Sequence, residues 1–294
     1  MTNDDGIRSP GIHVLAAALH DAGHEVLVVA PSQNWSGAGA AIGDALGNLR
    51  DDGALPIERV TIDQAPDIEC WGLDGPPALT VVAARLGAFG PPPDVVVSGI
   101  NAGLNTGRSI LHSGTVGAAL TGQNFGISGL AVSVEAADWW HWDTAAQLAV
   151  EVLPLVVDGP PRCVINLNVP ALPRTEVKGV RWTRLAPFGA VRASITGRSD
   201  DGIHFELVAT GQQPTPDTDQ GAVQEGWASI TTLVGIAEAW PETDAVRDSP
   251  DGLTAADGIE AHLAPGAPLE PVHVVPGHDG DHRLVRPLLG DTLS

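Results

Sequence analysis

The segment DVVVSGINAGLNTGRSILHSGTVGAALTG, residues 94–122, contains a buried strand, a glycine-rich loop and the start of a helix, in that order. Asp94 to Ser98 is β-branched and apolar enough to be covered on both faces. It empties into a loop holding Gly99, Asn101, Gly103 and Asn105. Ser113, Gly114 and Thr115 then precede Val116–Gly122, whose small residues let a helix lie close against a sheet. Free backbone N–H groups and hydroxyls therefore meet at a helix N-terminus, at the carboxyl end of a strand. Such a place attracts phosphate or another small anion.

Toward the N-terminus, MTNDDGIRSPG (residues 1–11) places Asp4 and Asp5 side by side on a tight turn between Asn3 and Gly6. Adjacent carboxylates pack poorly in a core but suit a hard cation that takes oxygen ligands. Pro10 opens a helix predicted to run to about Ala22, with Ile12, Leu15, Ala16 and Leu19 on one face. Gly23 ends it, and Glu25–Ala30 is a second buried strand. Turn, helix and strand form a βαβ unit whose first strand belongs before Asn3, where only Met1 and Thr2 stand. The sequence thus predicts about five further apolar residues upstream, and an extended chain that is better folded and more active.

After Ala30 comes PSQNWSGAGAAIG, residues 31–43. Gly37, Gly39 and Gly43 miss the dinucleotide fingerprint in spacing and stand too far past the strand, which argues against a nicotinamide oxidoreductase. Leu46–Asp67 reads as a polar surface excursion with a short strand at Arg59–Ile62, and Gly72–Pro77 as a turn. Ala78–Leu86 is a helix, and Pro91–Pro93 lead stiffly into the central strand. A strand at Leu130–Val134, a helix at Asp143–Val157 and a strand at Cys163–Val169 continue the alternation. Residues 1–175 are therefore a doubly wound α/β layer, with its working edge at the strand carboxyl ends.

From Lys178 the pattern changes to short β runs, Val180–Leu185 and His204–Val208, with Asp201 and Gly202 as a hairpin turn. Residues 176–240, which also contain the β run Ala228–Leu233, are too few for a second core and read as an arm that pairs with a partner subunit. Residues 241–294 are rich in Pro, Gly and Asp without a sustained period, the composition of a tail with little fixed structure. His278, Asp279, Asp281 and His282 in that tail read as solvated side chains rather than metal ligands.

A net charge of −21, with 15 scattered Lys and Arg, excludes polymeric nucleic acid as a partner but not a small phosphate ester whose charge a metal offsets. Cys70 and Cys163 lie far apart in apolar runs and read as buried free thiols in a reducing compartment. With neither a signal peptide nor an 18-residue apolar run, the expectation is a soluble cytoplasmic protein without membrane contact.

Four motifs, NDDG (3–6), NWSGAG (34–39), SGINAGLNTG (98–107) and SGTVGAA (113–119), resemble in order those of the SurE family of metal-dependent nucleotidases. NLNVP (166–170) and DTDQGAVQEGWASIT (217–231) resemble later segments of that family. The resemblance covers roughly residues 1–235. It implies a Rossmann-like, mostly parallel sheet with a C-terminal β-rich dimerisation arm, in a SurE-like domain over residues 1–240. It further implies hydrolysis of nucleoside monophosphates at the 5′ and also the 3′ position, with one Mg²⁺ or Mn²⁺ per subunit, in a homodimer or tetramer.

Carried over by position, Asp4, Asp5, Ser36 and Asn101 are the implied metal ligands. Two carboxylates, a hydroxyl and an amide carbonyl make an oxygen-rich set that leaves room for water and phosphate. The expected reaction is in-line attack on phosphorus by a metal-activated water that Asp4 or Asp5 orients or deprotonates. Asn3, Ser113, Gly114 and Thr115 are expected to hold the phosphoryl oxygens. The chain departs from the family at Gly75–Thr80, at His112 where a Tyr is usual, and at Trp35 where a polar or basic residue is usual. These departures bear on base preference, and with the missing first strand they motivate an alternative: a nucleotide-binding regulatory dimer without strong catalysis.

Overall fold

Two residues at the N-terminus join what are otherwise two sheets. The structure, a computed structural model, describes residues 1–43, 54–187, 191–199, 201–209 and 213–237. The expectations for 241–294, including the His278–His282 cluster, and part of the 46–67 excursion lie outside the described residues. The chain divides into two compact units, Met1–Gly235 and Ile236–Ser294, and the architecture below is that of the first.

Within it, β1 (Leu27–Pro31), β2 (Ile57–Arg59) and β3 (Glu69–Leu73) form a sheet in the order β1-β3-β2. A second sheet runs β4-β5-β6-β10-β7, from β4 (Val95–Ala102), β5 (Ser128–Val134), β6 (Val164–Val169), β7 (Val180–Trp182) and β10 (Ala228–Leu233). β1 with β3, β4 with β5, and β5 with β6 are parallel, while β10 lies antiparallel to β6. Met1 and Thr2 lie between the sheets. The Val29 N–H donates to Met1 O at 2.9 Å, and Thr2 forms a parallel bridge with Ser98 through Thr2 N–H to Val97 O (3.0 Å) and Gly99 N–H to Thr2 O (2.9 Å). The chain therefore enters the turn at Asp4 and Asp5 in strand geometry, held on both sides.

The helices cover both faces, as a doubly wound layer requires. Helix α1 (Pro10–Asp21) packs on α4 (Trp142–Val157) over a core of Leu15, Leu19, Ile100, Leu130, Leu148, Leu153, Ile165 and Leu167. On the opposite face α2 (Pro77–Arg85) packs on α3 (Gly114–Asn124), with Val81, Val96, Ala118 and Ile127 between them and the sheet. Both cysteines are free and buried, and burial pushes the Cys70 thiol up to about 11. Helix α1 sits so close to β4 that a Cβ on Gly11 would lie 2.3 Å from Ile100 O and 3.1 Å from the Trp142 ring. Gly11→Ala is therefore expected to cost about 2–3 kcal/mol, because the helix must lift off the strand. A urea titration checks this as a lower midpoint at an unchanged slope.

In the first sheet two elements differ from the sequence reading. Glu69–Leu73, with Gly72 and Leu73 read as part of a turn, is a strand paired in parallel with β1. The short strand read at Arg59–Ile62 is instead Ile57–Arg59, where antiparallel pairing with β3 sets Arg59 opposite Trp71. Beyond β7 the chain runs into a two-stranded antiparallel sheet, β8 (Val191–Arg198) and β9 (Ile203–Ala209), and returns through α5 (Asp219–Gln224) to β10.

Candidate active site

The turn at residues 3–9 is built by its first side chain. Asn3 is fully buried, and its amide donates to Gly6 O (3.1 Å) and Ser9 Oγ (2.7 Å). Both amide hydrogens thus serve the turn.

Asp4 is 3 % exposed. Its Oδ1 accepts the Thr115 hydroxyl at 2.5 Å, and its backbone carbonyl accepts the Trp35 N–H at 2.7 Å. Asp4 thereby ties the N-terminal turn to α3 and to the loop that carries Ser36. Asp5 is half-buried, and its Oδ2 accepts the Ala102 N–H at 3.1 Å from the end of β4. Burial raises the Asp5 carboxyl above its ordinary pKa; the Ala102 N–H lowers it and the negative charge of Asp4 raises it further.

Asn101, also at the end of β4, donates its amide to Gly103 O at 2.7 Å, which leaves Oδ1 on the side of Thr115. That Oδ1 lies 3.5 Å from the Thr115 hydroxyl. Ser36 is exposed, one residue past Trp35, whose N–H donates to Asp4 O. Its loop packs backbone to backbone on α3, since a Cβ on Gly117 would lie 2.3 Å from Gly39 O and the Gly39 N–H donates to His112 O at 3.1 Å. Asp4, Asp5 and Asn101 are thus assembled at one sheet edge, with Ser36 on an adjoining loop. Among the described residues neither aspartate forms an ion pair, and no three or more His, Cys, Asp or Glu residues cluster as a metal site. Among the described residues, the locus is two carboxylates with neutral oxygens and no cationic side chain within ion-pair distance.

The start of α3 adjoins this locus through Thr115. Ser113 caps α3, its Oγ accepting the Val116 N–H at 3.1 Å, while its own N–H is used by Ile110 O at 3.0 Å. Gly117 N–H returns to Ser113 O at 2.9 Å. The N–H groups of Gly114 and Thr115 are left without a partner among the described residues and point out of the helix start. The Thr115 hydroxyl is occupied by Asp4, so only its N–H is available to an anion.

Asn105 and Asp219 escaped assignment from sequence. The Asn105 carbonyl accepts Asn166 Nδ2 (2.8 Å) and Asn168 Nδ2 (2.9 Å), its N–H donates to Asn168 Oδ1 (2.8 Å), and its own amide donates to Ser133 Oγ (2.9 Å). This fixes the loop between Asn101 and Ser113 to β5 and β6. The signal was present in the repeated Asn of Asn166-Leu167-Asn168, since two amides on one face of an apolar strand need partners.

The family model described as Survival protein SurE matches residues 1–189. The chain is similar to the 5'-nucleotidase SurE of Chloroflexus aggregans, 39% identical over 243 residues that make up 79% of this chain and 91% of the relative. It is equally similar to the 5'/3'-nucleotidase SurE of Yersinia pseudotuberculosis, 39% identical over 238 residues covering 79% and 88%. Among solved structures, that of the SurE protein from Aquifex aeolicus aligns with a TM-score of 0.65 and 30% identity, over 83% of this chain and 94% of that one. A turn of paired aspartates facing an open helix start on a mostly parallel sheet, together with this extent of similarity, places the chain in the SurE family.

Proposed function

We propose that the chain is a phosphoric monoester hydrolase that cleaves nucleoside monophosphates at the 5′ and also the 3′ position, and that it needs a divalent metal to do so. The observation that carries this reading is the meeting of two opposite chemistries at one edge: among the described residues the Asp4 and Asp5 carboxylates form no ion pair, and the Gly114 and Thr115 N–H groups of the α3 start have no protein acceptor. The names of the relatives, 5'-nucleotidase and 5'/3'-nucleotidase, support the substrate class.

The donor set suits Mg²⁺ or Mn²⁺, one per subunit, since hard cations prefer carboxylate, carbonyl and hydroxyl oxygen. Asp4, Asp5, Ser36 and Asn101 would hold it. When bound, the ion supplies charge neutralisation of the phosphate and acidification of water. The protein does the rest. Gly114 and Thr115 direct N–H groups at the phosphoryl oxygens, reinforced by the positive end of α3, and the Ser113 hydroxyl keeps a hydrogen to donate. Asp5 keeps one carboxylate oxygen outside the Ala102 bond, to orient the attacking water in line and accept its proton.

The arm supports a homodimer or tetramer. Ile195 and Phe205 are cross-strand partners in β8 and β9, each 65% exposed, and a two-stranded ribbon with an apolar face has little stability of its own. Among the described residues no helix is long and apolar enough to cross a membrane, in keeping with a cytoplasmic enzyme.

The test is a panel of 5′- and 3′-nucleoside monophosphates scored for phosphate release with Mg²⁺, with Mn²⁺ and with chelator. Release is expected only with a divalent ion, with a loss of about 100-fold or more in chelator that added metal reverses. Full turnover in chelator would remove the metal from the proposal. Tight nucleotide binding without release under any condition would make the chain a regulatory binder instead.

A further inference from the structure

Asp219, in the first turn of α5, is fully buried, and its carboxylate accepts three backbone N–H groups. Gly107 donates to Oδ2 at 2.7 Å, while Ala186 (2.9 Å) and Gln220 (2.8 Å) donate to Oδ1. Only Gln220 belongs to its own helix. Gly107 opens the 3-10 segment Gly107–His112 that leads into Ser113 and α3, and Ala186 stands at the end of the stem from which β8 departs.

Helix α5 has no need of this carboxylate as a cap, because Thr218 already fills that role by accepting the Gly221 N–H at 3.2 Å. A buried carboxylate is costly unless N–H groups satisfy it, and here two of the three come from 112 and 33 residues away. The same junction is stitched by main-chain bonds: Arg184 N–H donates to Asp217 O (3.1 Å), and Asp219 N–H donates to Arg184 O (2.9 Å). Asn105 fixes the loop to the sheet on one side of Thr106, so Asp219 holds it from the other, the side of the arm.

We propose that Asp219 is a positioning residue that makes the placement of the Ser113–Thr115 helix start depend on the seating of the arm stem. This rests on the reading of the Gly114 and Thr115 N–H groups as phosphate donors. The 3-10 segment is six residues long and ends directly on the α3 cap, so a shift at Gly107 reaches Gly114 with little chain to absorb it. Phosphoryl transfer is steep in such displacements.

Asp219→Asn keeps the shape but turns one acceptor into a donor, which must oppose either the Gly107 or the Ala186 N–H. The full-length variant and wild type are compared by hydrogen exchange over residues 105–117 and 183–187, by inhibition with inorganic phosphate, and by kcat and KM. Exchange in both segments is expected to quicken by about tenfold, phosphate inhibition to weaken by about fivefold and kcat to fall by about tenfold, in a protein that melts above the assay temperature. Asp217→Asn, which weakens the exposed pair with Arg184 (2.6 Å) and the hydrogen bond from the Thr215 side chain but leaves the Asp219 carboxylate untouched, should leave all of these unchanged.

Faster exchange confined to 183–187, with wild-type kcat and phosphate inhibition, would overturn the proposal. If the wild type hydrolyses no nucleotide, the functional reading falls, while unaltered exchange over 105–117 in Asp219→Asn still overturns the coupling on its own. Should Asp219→Asn not fold, Asp219→Ser, which keeps one acceptor, carries the same comparison.

Discussion

Asp4→Asn is expected to lower kcat by about a thousandfold or more, while the protein without metal melts at or above the wild-type temperature. The loss follows from what the side chain does in the proposed site. Asp4 is one of two charges available to a cation, and its Oδ1 anchors Thr115, whose N–H faces the anion. An asparagine fits the space but brings no charge. The stability follows from what the charge costs at rest. Asp4 and Asp5 are neighbours without an ion pair, and the charge of Asp4 helps hold the Asp5 carboxyl above its ordinary range. Removing it relieves that repulsion and sets this gain against a weaker bond to Thr115. Phosphate release from the best nucleotide with saturating metal, paired with a melting curve in chelator, gives both numbers. Turnover above a tenth of wild type would show that Asp4 is a brace and not part of the chemistry.

The second large effect is expected from a single methyl group. A Cβ on Gly114 would lie 2.7 Å from Asp4 Cβ, 2.9 Å from Asp4 Oδ2 and 3.0 Å from Pro77 Cγ. The new methyl group is caught between the carboxylate and the rigid start of α2. Either Asp4 turns away from Thr115 or α3 backs off from the turn, and both separate the carboxylates from the helix start. Gly114→Ala is thus expected to reduce kcat/KM by about a hundredfold or more, since displacements of about 1 Å in a positioned site have costs of that order. It should also destabilise by about 1–3 kcal/mol through overpacking, unlike Asp4→Asn. A crystal structure of the variant together with kcat/KM decides the matter. Wild-type efficiency with Asp4 still bonded to Thr115 would mean that the contact is slack.

The parts of this site that could be read from sequence are those whose signal is local. The β-branched run at 94–98 becomes β4, and the small residues after Ser113 become a helix pressed on the sheet. Met1 and Thr2 do enter the sheet beside β1 and β4, as a strand leading into the paired aspartates must. What stayed hidden depends on distant partners. Glu69–Leu73 carries two residues without useful β preference, Cys70 and Gly72, and becomes a strand because β1 supplies its ladder. Asp219 looks like any acid after a helix cap until Gly107 and Ala186, far off in the chain, are brought to it. Asn3 braces the turn through Gly6 and Ser9, a role that an asparagine beside two aspartates does not announce in sequence.

Thr115 has one atom in each half of the site, its hydroxyl on Asp4 and its N–H at the open end of α3. In the proposed site the cation and the anion would therefore not be independent guests. Whatever factor the cation contributes to holding the anion, the anion must contribute to holding the cation, because the free energy of joint occupancy does not depend on the order of arrival. The hydroxyl makes that linkage structural as well as Coulombic. A cation that draws on Asp4 also steadies the residue that presents the N–H, and an anion that seats on the N–H steadies the partner of Asp4. In the proposed site, phosphate is then expected to bind more tightly when the metal is present, and the metal more tightly when phosphate is present, by the same factor.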